Sequence, residues 1–164
     1  SRLLLKSKQF VDINIKNSFL ERFNILGVNQ ERITLIPHEN STDTHLSGYN
    51  DIDIALDTFP YNGTTTTCES LWMGTPVITL SGKSHCSRVG KSILSCIGLE
   101  HLAVSTVEEY IKLCTFFSQN PSLISKLKLG LRSRLLSSPL CDGTSFTKKI
   151  ENAYLTIWNK YKNG

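Results

Sequence analysis

The sequence predicts an α/β fold, a Rossmann-like doubly wound parallel sheet with extra helices toward the C-terminus. Three observations predict it. Short apolar runs alternate with segments of helical period. Runs such as Pro76-Val77-Ile78-Thr79-Leu80 are apolar without strict alternation, as a parallel sheet covered on both faces requires. Gly27, Gly74 and Gly98 each close a helical segment, where a left-handed residue ends a helix most easily.

In chain order, residues 3–6 read as a short buried strand. Residues 15–26 place Ile15, Phe19, Leu20, Phe23 and Leu26 at helical spacing. Residues 32–37 form a strand closed by Pro37. A short helix is expected over 44–50, and residues 51–58, Asp-Ile-Asp-Ile-Ala-Leu-Asp-Thr, read as a strand. Phe59-Pro60-Tyr61-Asn62-Gly63 is a turn. A helix over 66–73, a strand over 76–80, a helix over 87–97 and a short strand over 101–104 follow. Thr106 and Glu109 are spaced as a capping box, opening a helix to about Gln119. Residues 122–136 are expected as one helix and 145–161 as a long amphipathic one.

The 164 residues, 40% of them hydrophobic, are read as one domain with a single core, cut from a longer chain because the sequence begins inside a strand. The formal charge of +4 suits an anionic ligand. Basic residues are scattered and not interleaved with aromatics, which excludes a nucleic-acid module. No apolar run approaches the about 18 residues of a membrane span. Five cysteines without a Cys-x-x-Cys pair read as reduced thiols of a cytoplasmic chain, nucleocytoplasmic in a eukaryote. In that compartment the Asn40-Ser41-Thr42 and Asn62-Gly63-Thr64 glycosylation patterns are coincidental.

In an open parallel sheet, ligands bind beyond the carboxyl ends of the strands. The loop after Asp57 is the one built for a ligand. Gly63 permits close backbone approach, and Thr64, Thr65, Thr66 and Thr67 open the next helix. There, free amides and the positive end of the helix dipole favour an anion, and threonine hydroxyls add donors to phosphate oxygens. One threonine makes an ordinary N-cap; four in succession do not follow from capping or from helix propensity. Glu69, a turn further on, is placed to accept from ribose hydroxyls. Gly82-Lys83-Ser84 is not a P-loop, because Val77 stands where the first glycine is needed. No G-x-G-x-x-G follows a strand. His38, His45, His85 and His101 lack metal-ligand spacing, so no metal or cofactor is expected. His45 stands near the expected ligand mouth, where a surface histidine is the competing reading. No catalytic triad or general base is evident.

Residues 53–77, running from Asp53 through Asn62-Gly63-Thr64-Thr65-Thr66-Thr67-Cys68-Glu69 to Val77, resemble the donor-binding core of the O-GlcNAc transferase/SPINDLY family, its bacterial and plant SPINDLY-like members above all. Ser87-Arg88-Val89-Gly90, residues 137–143 and residues 155–161 extend the resemblance over the whole chain. It implies the C-terminal half of a GT-B glycosyltransferase. The partners it implies are the missing N-terminal Rossmann half, upstream tetratricopeptide repeats and a protein Ser/Thr acceptor, with no membrane or nucleic acid. It also implies a nucleotide-sugar donor, UDP-GlcNAc or alternatively GDP-fucose. By that resemblance Thr64, Thr65 and Thr66 contact the diphosphate, Glu69 the ribose, and His45 and the region of Thr42 the nucleotide base. The family's animal members carry histidine at the position of Thr64, arginine at Gly48 and lysine near Thr42. Their phosphate-binding lysine has no counterpart here. A non-catalytic nucleotide- or protein-binding module, or a purely structural domain, is the rival from outside the enzyme class.

Overall fold

The computed structural model describes residues 1–38 and 41–163; Asn40 of the first glycosylation pattern lies outside them. The chain forms two compact units, Ser1–Ile52 and Asp53–Gly164.

In the first unit, strands β1 (Leu3–Lys6) and β2 (Ile33–Ile36) pair in parallel, with Leu3 opposite Ile33 and Lys6 opposite Ile36. Parallel strands need a crossover, and helix α1 (Ile13–Ile25) supplies it. The Asp12 carboxylate caps α1 by accepting from the Asn14 amide at 2.8 Å. Gly27, at φ 77°, ends it. The buried ring of Phe10 meets Phe19 of α1 edge-on, with centroids 5.2 Å apart. Helix α2 (Thr42–Ser47) starts two residues earlier than expected. Its last turn tightens into a 3-10 turn over Gly48–Asp51.

The second unit contains β3 (Ala55–Leu56), α3 (Thr65–Trp72), β4 (Val77–Leu80), α4 (Val89–Cys96), β5 (Ala103–Val104) and α5 (Val107–Gln119). The three strands pair in parallel in the order β3-β4-β5. All four residues of β4 are buried, the pattern of a central strand covered on both faces. Leu71 of α3, Ile78 of β4, Ile93 and Leu94 of α4 and Leu131 form the heart of the core.

Strand β3 is much shorter than the expected 51–58. Asp51 belongs to the preceding 3-10 turn, and pairing to β4 covers only the amides of Ala55, bonded to the Pro76 carbonyl, and Asp57, bonded to that of Ile78. The capping box at α5 is present in full: the Glu109 amide donates to the Thr106 hydroxyl at 3.2 Å, and the Glu109 carboxylate accepts from the Thr106 amide at 3.2 Å.

The single helix expected over 122–136 is two, α6 (Pro121–Lys128) and α7 (Leu131–Leu136). Gly130, at φ 85°, takes the left-handed conformation that breaks the run. Arg132 of α7 lies over the Trp72 ring of α3 at 4.4 Å. Helix α8 (Gly143–Asn163) is amphipathic, with no buried residue within its unit.

Candidate functional site

The site is assembled around Asp57, at the carboxyl end of β3. One carboxylate oxygen accepts from the Gly63 amide at 2.7 Å, and the other accepts from the Thr79 hydroxyl at 2.6 Å. The Asp57 carbonyl accepts from the Tyr110 hydroxyl at 3.1 Å. Burial pushes the Tyr110 phenol above its usual range, and Cys114 and Asp57 add to the rise, so Tyr110 stays a donor. Asp57 thus joins the loop after β3 to β4 and to α5.

The loop is closed by a second clamp. Asn62 is 1% exposed. Its side-chain amide donates to the carbonyls of Thr58 at 2.9 Å and Leu80 at 3.4 Å, while its oxygen accepts from the Gly90 amide at 3.4 Å. Its own amide donates to the Cys86 carbonyl at 2.9 Å. The Thr58 hydroxyl closes the turn onto the Tyr61 carbonyl at 2.5 Å, across a cis Phe59-Pro60 peptide.

Gly63 is where the loop turns into α3. A β-carbon there would collide with the Thr66 hydroxyl and lie 2.9 Å from that of Thr67. Its amide is held by Asp57, so Gly63 serves by lacking a side chain and not by donating to a ligand. Thr67 is buried and turned inward, donating to the Gly63 carbonyl at 2.9 Å. Thr64, Thr65 and Thr66 are exposed at the head of α3, and Thr64 does not cap the helix with its side chain. Three of the four threonines are therefore solvent-exposed at a helix N-terminus, where an anion is favoured, with the Thr66 hydroxyl lying over Gly63. Glu69 follows, half-buried, in the next turn. Burial, then Cys141, then Glu69 raise the thiol of its neighbour Cys68, which keeps that sulfur protonated.

Asp57 and Asn62 were not singled out from sequence as site residues. Their signal was available in part: an aspartate at a strand end and an asparagine before glycine in a turn. Gly90 completes the arrangement. A β-carbon there would lie 2.5 Å from both the Asp57 carboxylate and the Thr79 hydroxyl. Gly90→Ala is expected to destabilise the protein by about 1–3 kcal/mol, read as a lower urea midpoint at unchanged slope.

The remaining two predicted residues belong to the first unit. Thr42 is the exposed first residue of α2. His45 lies in the middle of that helix, not at its start, because α2 begins at Thr42. The Lys6 ammonium donates to His45 Nδ1 at 3.0 Å, which leaves the ring proton on Nε2. The ring stacks against exposed His38 at 6.1 Å and meets Tyr49 edge-on at 5.8 Å.

The sequence model of glycosyl transferase family 41 matches residues 5–150. Over its whole length the chain is 42% identical to the probable UDP-N-acetylglucosamine–peptide N-acetylglucosaminyltransferase SPINDLY of Hordeum vulgare and spans 17% of that protein. The protein of the same name from Arabidopsis thaliana is also 42% identical, and the chain spans 18% of it. A mutant of the Thermobaculum terrenum O-GlcNAc transferase has the same fold, with a TM-score of 0.90 and 38% identity over 97% of this chain and 30% of that one. The match bears out the α/β, GT-B-type fold.

Proposed function

Because the chain belongs to glycosyl transferase family 41, we propose that it carries the nucleotide-sugar site of a protein O-glycosyltransferase, one that moves GlcNAc from UDP-GlcNAc to serine or threonine hydroxyls. The observation that carries this reading is the exposed set of Thr64, Thr65 and Thr66 at the head of α3, on a loop that Asp57 and Asn62 hold in place. The acceptor hydroxyl oxygen attacks the anomeric carbon and gives up its proton, the bond to the diphosphate breaks, and UDP leaves with the electron pair. Amides and hydroxyls fixed beforehand at the start of α3 stabilise that departing charge without reorganising. Gly63 admits the phosphates and Glu69 accepts from the ribose hydroxyls; Thr42 and His45 are the residues of the first unit that the family resemblance assigns to the base.

The remainder of the catalytic cleft, including the N-terminal Rossmann-like half, comes from parts of the protein beyond these residues. The compartment is cytoplasmic in this reading, in keeping with five unbridged cysteines. Among the described residues, no helix is long and apolar enough to cross a membrane.

The test is thermal and calorimetric titration of the full-length protein with UDP, GDP and their sugars. UDP at about 100 times its Kd stabilises the fold by about 2.7 kcal/mol. A larger shift with GDP would transfer the reading to fucosyl transfer. No shift with any nucleotide would overturn it in favour of a structural or protein-binding role.

A further inference from the structure

Beside the donor loop lies an open groove of about 930 Å³. Phe59 and Leu80, the last residue of β4, are among the residues that line it, as is Ser105, which follows β5. Lys83, Arg88 and Lys91 all line it, and no carboxylate is among its lining residues. Arg88, Lys91, Ser92 and Ser95 recur at the spacing of a single helix face, so the first turns of α4 present them together. Among the described residues, Lys83, Arg88 and Lys91 make no ion pair and no side-chain hydrogen bond. The Glu109 carboxylate is engaged by the amides of Ser105 and Thr106 at 3.1 and 3.2 Å, and among the described residues it forms no ion pair with these cations. Three unpaired cations lining one groove with apolar Phe59 and Leu80 and several serine hydroxyls complement an extended chain carrying carboxylates. Lys83 and Lys91 are exposed, so a polypeptide can reach these cations from solvent. Phe59 belongs both to this groove and to the loop that leads to Gly63 and the threonines.

We propose that this groove docks an acidic segment of the protein acceptor, with Lys83, Arg88 and Lys91 recognising its carboxylates. The proposal rests on the glycosyltransferase reading for the identity of its occupant. The cations add specificity and speed of encounter, and Phe59 and Leu80 offer apolar contact to the segment's side chains.

Fluorescence anisotropy on the full-length protein tests it, using a labelled peptide of alternating glutamate and serine beside its glutamine counterpart. The acidic peptide is expected to bind about tenfold or more tightly than the neutral one, and to weaken as salt rises from about 0.05 M to about 0.5 M. Lys83→Glu/Lys91→Glu should remove that preference and leave the stabilisation by UDP intact. Lys83→Gln/Lys91→Gln, a milder change at exposed positions, should reduce it in the same direction and covers any loss of folding in the reversal variant. Equal binding of both peptides, no detectable binding, or unchanged binding by both variants would overturn the proposal. So would tighter binding of a single-stranded oligonucleotide that these variants abolish. If the peptide results hold while UDP fails to stabilise the protein, the donor reading falls and the groove stands.

Discussion

Turnover of the full-length enzyme is expected to fall by about 10²–10³ on Thr65→Val, the loss typical of removing one donor aimed at developing charge. Thr65 is the first residue of α3, and its side chain is exposed. Valine keeps the branched β-carbon and the backbone amide, so the helix start and its dipole persist and only the hydroxyl is lost. The decrease should fall on kcat and on kcat/KM together, because the charge on the leaving phosphate grows as the bond breaks. A rise in KM alone would mean that Thr65 holds the ground state only. Wild-type kinetics would remove it from the site. Thr67→Val is the internal control. Thr67 faces inward and donates to the Gly63 carbonyl, so its loss should cost about 1 kcal/mol of stability before it costs turnover. Within about one helical turn, the run Thr-Thr-Thr-Thr thus separates into an exposed part and a structural part.

That separation marks where the sequence stops being readable. Four consecutive threonines after a strand and a glycine point to a helix N-terminus facing a ligand, because the local chemistry is all within a few residues. The capping box at Thr106 and Glu109 and the fully buried β4 are local in the same way, and both are present as read. Which threonine turns inward depends on the Gly63 carbonyl, and so on how the loop is anchored. That anchoring is remote. Asp57 meets Thr79 across 22 positions, and Asn62 meets Gly90 across 28. Nothing in the periodicity of residues 51–58 shows that Asp57 ends a two-residue strand with its carboxylate aimed at two donors. The break between α6 and α7 was closer to hand. Gly130 interrupts a helical pattern that hydrophobic spacing continues through, so spacing alone predicts one helix where the left-handed glycine makes two. Helix α2 begins at Thr42 and not at the expected residue 44 for a related reason: Thr42 and Asp43 begin it without a side-chain cap that sequence could signal, which puts His45 in its middle.

The largest loss of stability is expected at Asp57. Asp57→Ala strands the Gly63 amide and the Thr79 hydroxyl, and Thr79 is 0% exposed, so no solvent can replace the lost acceptor there. Each buried unsatisfied group costs about 1–3 kcal/mol, so the variant should lose about 3 kcal/mol or more in urea unfolding. Asp57→Asn should cost less. Its amide oxygen still accepts from Gly63, and its NH₂ group can donate to Thr79, leaving only the Thr79 proton to find another acceptor. The two variants together distinguish hydrogen bonding from charge, since both remove the carboxylate's charge but only alanine removes the geometry. UDP affinity, measured well below the unfolding midpoint, should follow the same order: wild type, then Asn, then Ala. That order follows because Gly63 presents the threonines only while its amide is held. Equal UDP affinity for wild type and Asp57→Ala would mean that the loop keeps its shape without the carboxylate. The clamp from Asn62 to Thr58, Leu80 and Gly90 would then be what orients the head of α3.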